Sequence, residues 1–562
     1  MLWSALRHHR AGQLTEAAQI YRQILAIDAH QADSLDLLGM IAYQAGGHEL
    51  AAAMIRRAIA IDENNASYHS NLGTVLQEQN KLDEAAACYE RALTLKPDLA
   101  EVHFNLGNIL QAQNKLDEAV ACYERALALK PELAEAHHGM GNALQAMDLQ
   151  YMGEVKLEEA AACYERALAL KPNYAKAHYN LGCALRALGK VDEALVRYRT
   201  ALALQPNHVQ AGFRESLAQL LRGDFTPGWH NYERRWQCKS TDHGTTMRAY
   251  PQPLWTGGKL ASGRLLIWGE QGVGDEIMFA GLIPDVIRTG NRCILDCDAR
   301  LKPLFARSFP LIDVVSGYHP GNDPGDNPEL DIAAHLPCGS LPRLFRANHA
   351  AFAATTPPYL IADPVQRERF RARYADADRR RLVGLAWYTN NRKTGHFRSV
   401  DLSLFAPLFA RPDIRWVSLQ YGDHDELQSQ AAVAGAPILI DRSVDQLANI
   451  DVFASQIAAL DMVVTIDNST AHLAGALGLP TCVLLPFAPD WRWLQAREDS
   501  PWYPTLRLFR QPKRGDWQSV VQRVQSALHN RYPVLSSQYL EKAKGAATSR
   551  TSFSMVPLRA ES

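Results

Sequence analysis

Small and apolar residues recur at a fixed interval along the first 240 positions. Gly39, Gly73, Gly107 and Gly141 are spaced by 34 residues, and Gly182 follows after 41. Pro97, Pro131, Pro172 and Pro206 step by 34, 41 and 34, so one period carries seven extra residues, around Asp148 to Glu154. Each period holds two amphipathic helical patterns. One example is Asn105-Leu106-Gly107-Asn108, then Leu116 to Leu127, closed by Lys130-Pro131. Glycine and alanine (Ala85, Ala119) permit close helix contact, and the proline stops the second helix before the next one starts. A period of this length predicts a solenoid of helix pairs over residues 1–240. The degenerate stretches Leu14–Ala26 and Ala211–Trp236 are expected to cap it.

The period then stops. Gly223 to Trp236 forms an aromatic-rich junction, and Pro251, Pro253, Gly257 and Gly258 mark residues 241–262 as a linker. From Arg264 onwards, short apolar runs alternate with amphipathic ones. Leu265-Leu266-Ile267-Trp268 and Cys293-Ile294-Leu295 read as strands of a first half, residues 263–370. Leu382–Trp387, Trp416–Leu419, Met462–Ile466 and Thr481–Leu485 read as strands of a second half, residues 380–535. This alternation predicts two parallel, doubly wound α/β sheets with a ligand cleft at the carboxyl ends of their strands. Residues 540–562 are small and polar and are expected to form a tail.

Composition narrows the function. The 59 basic and 60 acidic side chains nearly cancel, which argues against electrostatic capture of nucleic acid or anionic lipid. No apolar run reaches the length of a membrane span, and Met1 to Gly12 has no secretory pattern. Nine cysteines without a Cys-x-x-Cys pair suit reduced thiols and a cytoplasmic protein. Cys88, Cys122 and Cys163 share one position in three repeats and read as small packing residues, so no metal site is expected.

Three motifs carry candidate chemistry. Asp467-Asn468-Ser469-Thr470-Ala471-His472 follows an apolar strand and opens an alanine-rich helix. Free backbone N–H groups and the positive helix end make such a turn an anion cradle, to which His472 adds a donor. Gly272-Val273-Gly274 after the first strand invites a dinucleotide reading, but Ile277 occupies the third glycine position and Asp275 sets a carboxylate where a pyrophosphate would rest. Asp296-Cys297-Asp298 reads as a solvated pair at a strand end. Phosphate-loop, zinc-protease and Gly-x-Ser-x-Gly signatures do not occur. In the array, Asn71, Asn105 and Asn180 each precede the repeat glycine by two residues, a ladder suited to hydrogen-bonding an extended peptide backbone; Leu37 and Gly139 break it.

The periodic region resembles the tetratricopeptide repeat. The segment from Asp467 to Pro480 resembles the donor-diphosphate motif of the family containing the bacterial lipopolysaccharide heptosyltransferases, glycosyltransferase family 9. Gly274-Asp275 is similar to that family's N-domain Gly-Asp, whose aspartate is the proposed general base. The resemblance spans about residues 262–530 and implies a GT-B fold of two Rossmann-like halves, so the chain looks like a bacterial tetratricopeptide-repeat glycosyltransferase. By that resemblance, Asp275 is the base. Asp467, Asn468, Ser469, Thr470 and His472, with Lys393 or Arg398, bind the donor diphosphate. The co-substrate is a nucleotide-diphosphate sugar, hexosyl or heptosyl, with no metal and no other cofactor. The acceptor is a protein or peptide held by the repeats. Asn468 replaces the family's Ser/Thr, and the Lys-Arg-Trp-Pro segment is absent from Trp387–Arg398. Two alternatives stand beside this reading: a non-catalytic repeat scaffold with a degenerate GT-B domain, and a transferase acting on lipopolysaccharide or another glycan.

Overall fold

The computed structural model describes residues 1–151, 154–238, 246–317, 331–354, 357–391 and 395–529. The chain divides into two compact units, Met1–His208 and Val209–Ser562. No helix among the described residues is long and apolar enough to cross a membrane.

The first unit is six helix pairs in succession, from Leu2–Arg10 with Leu14–Ile27 to Ala175–Ala187 with Val191–Leu204. Within most pairs the turn uses a left-handed residue (Gly12, Gly46, Asn80, Asn114 or Gly189), whose N–H closes on the end of the first helix. Glycine and asparagine reach this conformation at the lowest cost.

The repeat glycine has a steric cause. A Cβ on Gly73, Gly107, Gly141 or Gly182 would lie 2.7, 2.8, 2.6 or 2.6 Å from the ring of Tyr89, Tyr123, Tyr164 or Tyr198, respectively. Each tyrosine is fully buried on the second helix of its pair. The seven extra residues lie between Gly141 and Tyr164 and lengthen both helices. Ala134–Tyr151 has 18 residues and Glu154–Leu170 has 17, against 13 and 14 in the preceding pair.

Tyr123 is held on both sides, because a Cβ on Gly139 would also come within 2.8 Å of its ring. Gly107→Ala gains about 1 kcal/mol of helix propensity but overpacks a ring that cannot retreat, at about 1–3 kcal/mol. We expect a net loss of up to about 2 kcal/mol in urea unfolding of residues 1–208. An unchanged midpoint would show that the two helices re-space freely.

The second unit contains two wholly parallel sheets. The first has β1 (Arg264–Trp268), β2 (Arg292–Asp296), β3 (Asp313–Val315) and β4 (Ile332–Pro337) in the order β3-β2-β1-β4. The second has β5 (Arg381–Ala386), β6 (Ile414–Ser418), β7 (Ile438–Leu439), β8 (Met462–Ile466), β9 (Thr481–Leu485) and β10 (Leu506–Arg510) in the order β10-β9-β8-β5-β6-β7. Strand order reverses between β1 and β4 in one sheet and between β5 and β8 in the other. The strands β1, β5, β8 and β9 are buried on both faces, as sheets covered by helices require.

Two expected boundaries move. The helices Val209–Arg222 and Phe225–Tyr232 belong to the α/β unit, so the array ends at His208 and not at 240. Trp229 explains the change. Its ring packs edge-on against Trp491 and Trp502, its Nε1 donates to the Arg346 carbonyl at 2.9 Å, and Phe225 meets Phe352 at 4.8 Å. The expected linker is also docked: Trp255 is buried, its N–H donates to the His335 carbonyl on β4, and Leu254 bridges to the same residue. The expected tail, 540–562, lies outside the described residues.

Candidate functional site

In doubly wound sheets the crevice opens beyond the strand ends where the order reverses. Both reversals deliver candidate residues. After β1 the chain turns through Gly269–Gly272 into the helix Val273–Ala280, with Asp275 in its first turn. After β8, Asp467 and Asn468 lead into the helix Ser469–Ala476. Asn468 is the N-cap; its Oδ1 accepts from the Ala471 N–H at 3.3 Å and the Thr465 hydroxyl at 3.1 Å. The two helix starts face one another. A Cβ on Gly274 would lie 3.3 Å from the His472 ring and 3.7 Å from the Ser469 Cα, so glycine is what permits the approach.

The surroundings of these residues differ from those the sequence suggests. His472 is buried, stacked on Trp493 with ring centres 5.3 Å apart, and its Nδ1 lies 3.0 Å from the Tyr503 hydroxyl. Burial, aided by the positive charge of Arg492, lowers its pKa to about 4, so at neutral pH His472 is uncharged. Thr470 is buried beneath the helix start, whereas Ser469 is half-exposed. Asp467 is buried with Arg398 Nε 3.5 Å from its Oδ2, an atom without a hydrogen bond. Arg398 therefore stands at the second sheet's strand end. Lys393 lies outside the described residues.

Asp275 carries the largest surprise. Its carboxylate is paired with Arg492, which also pairs with Asp490. Burial works against the guanidinium's charge, but the two carboxylates raise its pKa well above the ordinary arginine value. Arg492 also lies over the Trp491 ring at 4.6 Å. Sequence reasoning missed this Asp490-Trp491-Arg492-Trp493 segment, although an arginine between two tryptophans just beyond β9 was a usable signal.

Glu276, also missed, lodges against the ends of β1 and β2. A Cβ on Gly269 would lie 2.5 Å from its carboxyl carbon, and its Oε2 accepts from the Asp298 N–H at 2.9 Å. Burial, with the charges of Asp298 and Asp296 nearby, pushes its pKa up to about 7. The Asp296–Asp298 pair is not uniformly solvated as expected. Asp296 is buried against Arg248 at 2.5 Å, and Asp298 pairs with Arg300 at 2.7 Å.

The asparagine ladder is half-buried and partly committed within the array. Asn71 Nδ2 donates to both oxygens of Asp36 (3.1 and 2.9 Å), and Asn180 Nδ2 lies 2.7 Å from Asn142 Oδ1 and 3.0 Å from His138 Nε2. Asn105 is within hydrogen-bonding reach of Tyr89.

Burial raises the Asp36 pKa to about 6, with Asn71 opposing the rise and Asp33 adding to it. A carboxyl whose folded pKa exceeds its unfolded value binds more protons when folded, so array stability falls as pH rises from about 4 to about 6. The two-unit rise corresponds to at most about 3 kcal/mol. Asp36→Asn should remove that slope and raise the melting temperature of residues 1–208 at pH 7. A melting temperature that stays as pH-dependent as the parent's would locate the slope elsewhere.

Comparisons with known proteins bear on the array. A family model described as "TPR repeat" matches residues 75–114, 107–148 and 156–185, and one described as "Tetratricopeptide repeat" matches residues 175–208. A Caulobacter vibrioides protein named FlbA is 30% identical over 334 residues, covering 57% of this chain. The alignment spans only 54% of that relative's length.

Among solved structures, YrrB, described as a TPR protein with an unusual peptide-binding site, is 22% identical. It covers 34% of this chain and 96% of its own, with a TM-score of 0.30. The pilF protein of Pseudomonas aeruginosa is 23% identical, covering 37% of this chain and 92% of its own, with a TM-score of 0.34. The chain therefore carries tetratricopeptide repeats, a scaffold of the kind that engages protein partners, followed by an α/β unit built on two parallel sheets.

Proposed function

We propose that the α/β unit is an inverting glycosyltransferase of the GT-B type, using a nucleotide-diphosphate sugar and a protein or peptide acceptor bound by the repeats. One observation carries this reading: Asp275 and the N-terminus of the Ser469–Ala476 helix converge where strand order reverses in each sheet. The acceptor hydroxyl would attack the sugar's anomeric carbon as Asp275 takes its proton. A new carbon–oxygen bond then forms while the bond to the diphosphate oxygen breaks. The nucleoside diphosphate leaves with that electron pair, its charge met by the helix N–H groups and Arg398. His472, neutral and held by Trp493 and Tyr503, supplies shape and at most an uncharged hydrogen bond.

The pairing of Asp275 with Arg492 favours a second reading, in which the unit binds an anionic ligand without turning it over. A single experiment separates the two. The full chain is incubated with a panel of nucleotide-diphosphate sugars and followed by mass spectrometry, with and without a chelator. We expect one donor to be hydrolysed or transferred, with the chelator having no effect. Binding without release of nucleoside diphosphate supports the second reading, and a strict divalent-metal requirement overturns the proposed mechanism.

A further inference from the structure

Two buried or half-buried arginine pairs in the α/β unit contrast sharply. The Arg235 and Glu270 side chains are both 0% exposed, and their pair is a sealed strut. The Arg492 and Asp275 side chains keep 14% and 19% of their surfaces exposed, so water reaches both. Arg492 arrives on the segment after β9, pairs with Asp490 on its own turn, and crosses to the first sheet's helix to meet Asp275. His472 lies within its field, and also within that of Arg398. Two guanidinium groups thus flank the start of the Ser469–Ala476 helix, Arg398 matched with Asp467 and Arg492 with both Asp275 and Asp490, and neither is completely enclosed. Cations gathered at the positive end of a helix, with carboxylates standing in as their anions, are the resting form of a site for a multiply charged anion.

We infer that Arg492 is a diphosphate-binding residue of this cleft and that its pair with Asp275 is a latch. The inference rests on the transferase reading. A diphosphate offers the guanidinium bidentate oxygens and more charge than one carboxylate, so it draws Arg492 away from Asp275 while Asp490 keeps its hold. Asp275 is then released, unpaired, to accept a proton from the acceptor hydroxyl. The latch makes binding ordered: donor first, and a competent base only afterwards. It also suppresses proton abstraction in the empty cleft.

The test is calorimetric titration of the full chain with inorganic pyrophosphate and, separately, with UDP. Asp275→Asn keeps the side-chain shape but removes the competing charge, so it should tighten pyrophosphate binding by about 3–10-fold. Arg492→Gln should weaken binding by at least about 10-fold, and Arg492→Lys, which keeps the charge but loses the fork, by less. Circular dichroism reports whether each arginine variant is folded; the isosteric Asp275→Asn carries the test if they are not. Unchanged or weaker binding in Asp275→Asn overturns the latch. If Arg398→Gln weakens pyrophosphate binding but folded Arg492 variants do not, only the latch falls and the donor cleft stands. If the parent chain binds neither probe, the latch and the transferase reading fall together.

Discussion

Asp275→Asn should slow sugar transfer by about 10²–10⁴-fold, the usual contribution of a general base. Asp275 sits in the first turn of the helix after β1, at the strand end facing the second sheet's helix start, and a base must occupy that position to reach an acceptor hydroxyl. Initial rates on the donor found by screening, measured at saturating donor, report turnover and not binding. Because the amide leaves Arg492 without its charged partner across the cleft, donor affinity should improve while the rate collapses. Transfer at the parent rate would remove Asp275 from the mechanism. Glu276, one residue on and with its pKa pushed up to about 7, would then be the carboxyl to replace next.

Arg235→Ala should have the largest effect on stability. The guanidinium donates two parallel bonds to Glu270 (2.9 and 2.8 Å), one to Glu233 (2.9 Å) and one to the Ser340 hydroxyl (2.8 Å); Glu270 also accepts the Gly339 N–H. Tyr232 and Trp236 cover its faces at 4.6 and 4.2 Å. Removing one partner strands a carboxylate out of water, at about 3–5 kcal/mol, well beyond what a surface ion pair contributes. Thermal unfolding should show the α/β transition shifted down by many degrees with the array transition in place. Arg235→Lys should recover only part of the loss, since the fork is gone. An unmoved α/β transition would show that the strut contributes nothing to stability. The same strut dictates where to divide the chain: a fragment starting at Arg264 loses Trp229 and Arg235, whereas one starting at Val209 keeps both.

The array was legible because most repeats restate one steric demand. In four of the six pairs a glycine faces a tyrosine ring on the partner helix, and in a fifth Gly39 faces Ile55, so the small residue recurs with the repeat. Six of the ten named strands were legible because parallel strands covered on both faces are nearly continuous apolar runs; β3, β4, β7 and β10 were not read. The boundary at His208 was not, because Val209–Arg222 and Phe225–Tyr232 keep a helix-pair pattern while Trp229 packs on Trp491 and Trp502. Local periodicity does not say what an apolar face will cover. The cleft was half legible. The Asp467–His472 turn declared itself through capping chemistry, which is local in sequence, whereas Asp275 stood out through the resemblance of Gly274-Asp275 to a family motif. Arg492 was hidden because its meaning depends on Asp275, 217 positions away. The commitment of Asn71 to Asp36, in the preceding helix pair, was invisible for the same reason.

The lengthened fifth helix pair has a consequence for how such a chain can change over time. The family matches break between residues 148 and 156, yet Gly141 still meets Tyr164 as closely as Gly73 meets Tyr89. What is inherited is thus a docking point between two helices and not a residue count. Material added at the far end of a hairpin leaves that docking point untouched, so the array can grow there without disturbing its neighbours.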